Sequence, residues 1–352
     1  MRAFRRSARA AVVAAQALLL GGCFWLFLDR RAAPPAGRPA LFEVGRGWSV
    51  RATARELKAK GIRRRAAPVL AVYTLFYRPL SLKAGEYEIP PGAGPAEILA
   101  MMTEGRILLH PVTIPEGLTA RETGEALAAA GFGAAADYEA AFADTREIAL
   151  WDPRAADLEG YLFPETYHLP KGTTPAEIAA RMTAQFKAAF GEAGRARAAE
   201  LGMSVREAVI LASLIEEETG IADERPLVSA VFHNRLRLRM KLDCDPTIIY
   251  ALKLRGAYRG RLLSKDLRLD SPYNTYLHPG LPPGPITNPG RSSLEAALHP
   301  AQAEALYFVL RENGRHQFSR TLREHQRAVA EYRRGLGASQ ENPRAVRKTR
   351  PK

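Results

Sequence analysis

The sequence predicts an α+β protein carried behind a single N-terminal membrane-spanning helix. Three observations lead there: an uncharged run of 19 residues near the N-terminus, four segments that each read strand, glycine turn, helix, and one apolar helix ending in three adjacent glutamates. A chain of 352 residues suits about two domains. Its hydrophobic content of 47% and charged content of 25% exclude a disordered or collagen-like protein. Two cysteines, Cys23 and Cys244, are too few for a disulfide-stapled secreted module. The seven histidines fall in no HExxH or CxxC context, so no metal or other cofactor is expected. The net charge of +14 is largely terminal: residues 1–31 carry +5 and residues 335–352 carry +4. With no RNA- or DNA-reading motif between them, a nucleic-acid partner is not expected.

Ala10 to Leu28 (AAVVAAQALLLGGCFWLFL) forms the uncharged run. At about 1.5 Å per residue it spans nearly the ~30 Å of a bilayer core. Arg2, Arg5, Arg6 and Arg9 precede it, and the positive-inside rule therefore keeps residues 1–9 in the cytoplasm and exports the body. Two rival readings stand beside this one, a cleaved signal peptide and lipidation at Cys23 in the box Leu20-Gly21-Gly22-Cys23. Against lipidation, Phe24 to Leu28 continue the apolar stretch where a polar spacer belongs. Residues 29–40, with the string RAAPPAGRP from Arg31, form a Pro-rich stalk.

The four repeated segments are Phe42 to Leu57, Tyr87 to Met102, Val112 to Leu127 and Tyr167 to Met182. Thr119 with Glu122 and Thr174 with Glu177 have the spacing of capping boxes, in which two side chains satisfy orphan N–H groups at a helix start. Pro95 and Pro175 suit the first helical position, where no N–H is needed. Units of this kind recur in α+β proteins without a shared role, and they also build small glycan-gripping modules. Residues 41–109, which contain Leu82-Lys83-Ala84-Gly85-Glu86-Tyr87, resemble the LysM-like subdomain of some cell-wall enzymes.

From Ser204 the chain reads SVREAVILASLIEEETG. Ser204 and Glu207 predict another capping box, and the body is apolar up to Ile215, as in a core helix. Glu216, Glu217 and Glu218 then crowd its C-terminal end, where the macrodipole and their mutual repulsion both oppose negative charge. At 100° per residue Glu217 points away from the apolar face, while Glu216 and Glu218 flank it. A carboxyl at such an edge, near like charges, has the raised pKa a general acid requires, and helix geometry nominates both flanking residues equally.

Further on stand Val231 to Leu236 (VFHNRL), Asp245-Pro246-Thr247-Ile248-Ile249-Tyr250, Ser271 to Tyr276 (SPYNTY) and Gly280 to Gly290 (GLPPGPITNPG). Asp245-Pro246 predicts a helix N-cap followed by proline at the first helical position. The Pro- and Gly-rich stretch is too rigid for a simple spacer, and polar side chains on such loops often line clefts. Leu306 to Leu310 and His316 to Phe318 predict a hairpin turning at Glu312-Asn313-Gly314, with a helix after it through Tyr332. Structural roles are expected for His316 and His325.

In order and spacing, ASLIEEETG, VFHNRL, DPTIIYAL, SPYNTY, GLPPGPITNPG with SLEAALHP, and GRHQFSRTLREH resemble the endolytic murein transglycosylases, the MltG or YceG-like family. The resemblance runs from the anchor to about Tyr332. It implies a single-pass inner-membrane protein with a LysM-like subdomain and a periplasmic, mixed α+β catalytic domain at 110–334, ahead of a basic tail at 335–352. It also implies a substrate of nascent peptidoglycan glycan strands, with membrane lipid and peptidoglycan synthases as neighbours. The family's catalytic glutamate is the second of a Glu-x-Glu-Thr motif and falls on Glu218. Asp245, Tyr273, Asn274, Tyr276 and Asn288 carry over as substrate contacts, and Glu216, nominated by the helix face, is expected beside them. Asp243-Cys244 depart from the family, which has Gln and a small polar residue there.

The mechanism implied uses one carboxyl. Protonated Glu218 donates to the glycosidic oxygen between N-acetylmuramic acid and N-acetylglucosamine. As a carboxylate it then takes the proton of the muramoyl primary hydroxyl, which attacks its own anomeric carbon. Ordinary glycosidases need a second carboxyl to activate water or form a glycosyl-enzyme. A non-catalytic, membrane-anchored glycan-binding scaffold is the alternative.

Overall fold

The computed structural model describes residues 37–341 except Arg64, Pro79, Glu312 and Asn313, together with Gln16 and Gly21. The rest of the expected membrane helix, Cys23, most of the stalk, the tail beyond Glu341 and two of the three expected hairpin-turn residues lie outside the described residues. Among the described residues no helix is long and apolar enough to cross a membrane. The architecture is mixed α+β with small sheets, and the chain divides into two compact units. One comprises Met1–Pro111 with His168–Thr173, the other Val112–Tyr167 with Thr174–Lys352.

All four repeated segments form a strand and a helix. They are β1 (Ala40–Val44) with α1 (Val50–Ala59), β2 (Gly85–Ile89) with α3 (Pro95–Glu104), β3 (Leu109–Thr113) with α4 (Ala120–Ala129), and β4 (Thr166–Pro170) with α6 (Pro175–Glu200). Between strand and helix each has a glycine in the left-handed region, Gly47, Gly92, Gly117 and Gly172, with φ of 77°, 78°, 83° and 77°. A side chain would strain that turn, so glycine recurs at the same place. The strands pair two by two. β1 and β2 are antiparallel, from Ala40 opposite Ile89 to Val44 opposite Gly85, and β3 pairs with β4.

In the smaller unit the β1–β2 ribbon covers α1, α3 and α2 (Ala67–Val72), which runs on into a π-helical turn at Tyr73–Tyr77. Phe42, Leu57, Val69, Tyr87, Ile98, Leu99 and Met102 form its core, each fully excluded from solvent. Arg63 is only 1% exposed, and its guanidinium donates to the Ala93 carbonyl at 2.9 Å.

The larger unit is built on α7 (Val205–Glu218). Every residue from Ala208 to Ile215 is at most 3% exposed, and each fully buried Leu, Ile or Val contributes about 1.5–3 kcal/mol. Around it pack α6, α8 (Arg225–Arg237), α9 (Asp245–Leu254) and α10 (Arg291–Leu298), while α5 (Ala135–Ala143) joins α4. The expected capping boxes at Thr119, Thr174 and Ser204 are all formed. Gly191, at φ 65° and ψ 175°, breaks α6 into two helical pieces. The hairpin is β5 (Tyr307–Leu310) with β6 (His316–Ser319), followed by α11 (Leu322–Glu341). Asp245 takes the first helical position of α9 and Cys244 the N-cap, one residue earlier than the Asp-Pro pair predicts.

Candidate active site

The last turn of α7 presents its three glutamates to three different surroundings. Glu216 is a structural clamp. Its carboxylate accepts the Gly290 N–H at 2.9 Å, at the N-cap of α10, and the Arg225 guanidinium at 3.3 Å. A helix N-terminus and an arginine thus offset the charge that the end of α7 disfavours. Its side chain, expected as a substrate contact, is 6% exposed and has both oxygens engaged.

Glu217 is exposed by surface area, as the helix-face argument expects. It does leave the apolar face, but the loop before α4 and the body of α9 rise beside it. A Cβ added at Gly117 would lie 3.4 Å from its Oε1, and Lys253 and Glu122 are its neighbouring charges. Burial raises its pKa and Lys253 opposes the rise. Lys253 itself bridges to Glu122 at 2.7 Å.

Glu218 is half-buried by surface area, but the surrounding protein displaces enough water to push its pKa up to about 7. Asp245 and Glu217 add repulsion, while a hydrogen bond with Cys244 and the charge of Arg235 pull the other way. A carboxyl with that pKa holds or releases a proton near neutrality, the condition for general acid and base work. Cys244 is 1% exposed, and burial raises its thiol pKa well above the ordinary value, ahead of the effect of Glu218. It stays a protonated, inert donor.

The loop that delivers Cys244 and Asp245 is strained and pinned. Arg239 and Asp243 have φ of 52° and 49°, uncommon for residues with side chains. Arg235, itself buried, donates to the carbonyls of Lys241 at 3.0 Å, Leu242 at 2.9 Å and Leu306 at 2.6 Å, and to the Asp243 carboxylate at 3.0 Å. Such over-determination is what lets a strained conformation persist. Asp245 is exposed, and its Oδ1 accepts the Tyr276 hydroxyl at 2.7 Å.

Tyr273 is half-buried and packs on Tyr250 with ring centroids 5.0 Å apart. Tyr250 donates in turn to Glu159 at 3.2 Å. Glu159 is buried and also accepts the Ala120 N–H at 2.9 Å, and desolvation pushes its pKa up to about 8. The two asparagines expected as substrate contacts are hydrogen-bonded to backbone groups of the fold. Asn274 is fully buried: its amide N–H groups go to the carbonyls of Leu267 and Leu269, and its oxygen accepts the Tyr276 N–H. Asn288, 1% exposed, accepts the N–H groups of Gly160 and Leu162 and donates to Leu118.

His316 binds Glu224 through Nδ1 at 2.7 Å, and His325 stacks on Tyr307 at 5.2 Å. A cavity of about 830 Å³ lies against the first half of α7, beside Arg206, Glu207 and Ile210, and none of the site carboxyls lines it. Sequence reasoning passed over Glu116, Arg225, Arg235, Lys253 and Glu159. The available signals were the IPEG string ending in Gly117 and the arginine inside VFHNRL.

Fold and site define an α+β domain in which Glu217 and Glu218, at the end of a buried helix, both have raised pKa values. The model of the YceG-like family matches residues 42–331, and the chain belongs to that family. It is 43% identical over 175 residues to an endolytic murein transglycosylase of Bacillus subtilis, a match covering 50% of this chain and 48% of the relative. It is 28% identical over 293 residues to an endolytic murein transglycosylase of Streptococcus pneumoniae, covering 75% and 53%. The chain spans about half the length of the curated relatives it matches. A crystal structure of a YceG-like protein from Listeria monocytogenes superposes with a TM-score of 0.56 at 32% identity, covering 82% of this chain and 98% of that one.

Proposed function

We propose that this protein is an endolytic lytic transglycosylase that cleaves the bond between N-acetylmuramic acid and N-acetylglucosamine in nascent peptidoglycan, leaving anhydromuramic acid ends. The single observation that carries the reading is Glu218, whose pKa of about 7 suits one carboxyl to act as acid and then as base. Family membership and the names of the relatives support the substrate class. Attack by the substrate's own hydroxyl replaces water and gains by proximity, so no second carboxyl is needed. Asp245 and Tyr276, joined beside the acid, and Tyr273 are the groups proposed to face the sugar.

In this reading the run Ala10 to Leu28 anchors the protein in the inner membrane, with the N-terminus cytoplasmic and the catalytic domain periplasmic. Residues 41–109 act as a LysM-like module that grips glycan, and peptidoglycan synthases are neighbours. Digestion of peptidoglycan with the purified protein, followed by mass analysis, tests the chemistry. Anhydromuramic ends are expected from the wild type and at least about 100-fold fewer from Glu218→Gln. Ordinary reducing ends would make the enzyme a hydrolase and recruit a second carboxyl such as Asp245.

A further inference from the structure

The π-helical turn of the smaller unit exposes large apolar side chains in succession. Leu75 and Phe76 are each 72% exposed and Leu80 is 53% exposed, with the exposed Arg78 between them. Exposed leucines are ordinary singly, but three within six residues form a patch. The same segment turns its tyrosines inward. Tyr73 donates its hydroxyl to the Leu80 carbonyl at 2.7 Å and Tyr77 donates to the Ala96 carbonyl at 3.0 Å. The turn is thus tied to its own unit through the aromatic residues while the aliphatic ones and Phe76 face out.

Charge decides what could cover this patch. From Leu57 to Gly85 the chain has no acidic residue, and Lys58, Lys60, Arg65, Arg78 and Lys83 are exposed. Exposed apolar side chains flanking an exposed arginine, in a segment with cations and no acid, suit the boundary between headgroups and acyl chains of an anionic bilayer. Position agrees as well. Residues 29–39 separate the apolar run from β1, and an extended chain of that length reaches at most roughly 40 Å. We propose that Leu75, Phe76 and Leu80 insert into the bilayer surface, with the neighbouring cations held by anionic lipid headgroups, so that the smaller unit lies on the membrane. The proposal rests on the anchor reading for its tether.

The test uses the full chain with Cys23→Ser, reconstituted in phosphatidylglycerol or phosphatidylcholine vesicles. A nitroxide is placed at Leu75→Cys or, as a reference on the larger unit, at Leu150→Cys, where leucine is 92% exposed. Cys244 is 1% exposed and stays unlabelled, which the Cys23→Ser parent verifies. In phosphatidylglycerol, position 75 is expected to lose accessibility to a water-soluble nickel complex and gain it to oxygen relative to position 150. Arg78→Glu or phosphatidylcholine should diminish that shift. A label at position 75 as open to nickel as the one at position 150 overturns the proposal. So does shielding that develops only on adding glycan strands or native membrane proteins, which would assign the patch to those partners. Release of the chain by alkaline carbonate while position 75 still reads as inserted would remove the anchor alone.

Discussion

The backbone N–H of Gly290 donates to the Glu216 carboxylate at 2.9 Å, joining the C-terminal turn of α7 to the N-terminus of α10. Three adjacent glutamates at a helix end are unfavourable by themselves. Here Glu216 is neutralised by a helix start and Arg225, Glu217 lies near Lys253, and Glu218 has the Cys244 thiol. The acid therefore sits in an electrostatic frame that its sequence neighbours help to build.

That frame is tight at Gly290. Its φ of −75° and ψ of 173° suit any residue, so backbone strain is not the constraint. An added Cβ would collide with the Glu116 carboxylate. Gly290→Ala should lower stability by about 1–3 kcal/mol in urea denaturation, as overpacking does. Adding Glu116→Ala should recover most of the loss. An unchanged midpoint for the single variant would show that Glu116 moves aside freely.

Glu218→Gln keeps shape but has no proton to deliver, so glycan cleavage should fall by about 100- to 10,000-fold. Stability should move the other way. The folded protein binds the Glu218 proton at a pKa of about 7 against an ordinary 4.5, so folding stability falls as pH rises between those values. The variant should therefore melt above wild type at pH 8 and lose that advantage near pH 4. A variant that melts below wild type at pH 8 would contradict the burial argument.

Two neighbours should move the acid in opposite directions. The Cys244 hydrogen bond lowers the Glu218 pKa, so Cys244→Ala should shift the alkaline limb of the pH–rate profile upward. Glu217 raises that pKa by repulsion, and Glu217→Gln should shift the limb downward with little loss at the optimum. Folded wild-type protein should resist iodoacetamide at Cys244. Limbs that coincide in all three proteins would remove both residues from the tuning of the acid.

Arg235→Met should destabilise the larger unit by on the order of 3 kcal/mol, since it leaves the buried Leu242 carbonyl and the part-buried Leu306 carbonyl without this donor. The effect should appear in thermal melts and in faster hydrogen exchange across residues 238–244. Melting and exchange like those of wild type would mean that the strained loop holds itself.

Much of this protein is legible along the chain, because its signals are local. Capping boxes at Thr119, Thr174 and Ser204, a glycine turn repeated four times and the apolar body of α7 each depend on residues within a few positions of one another. The carboxyl cluster was legible for the same reason, and so was the family, through motifs kept in order. The surroundings of each glutamate were decided only in three dimensions. Glu216 became a clamp because Gly290 folds back from 74 residues away, and Glu218 acquired its raised pKa from burial beside Asp245. Asn274 and Asn288 look alike on paper as candidate sugar ligands, yet their amides are taken up by backbone groups, Asn288 reaching Gly160 across 128 residues. Desolvation and long-range hydrogen bonds have no period along a sequence, and only the packed structure assigns them.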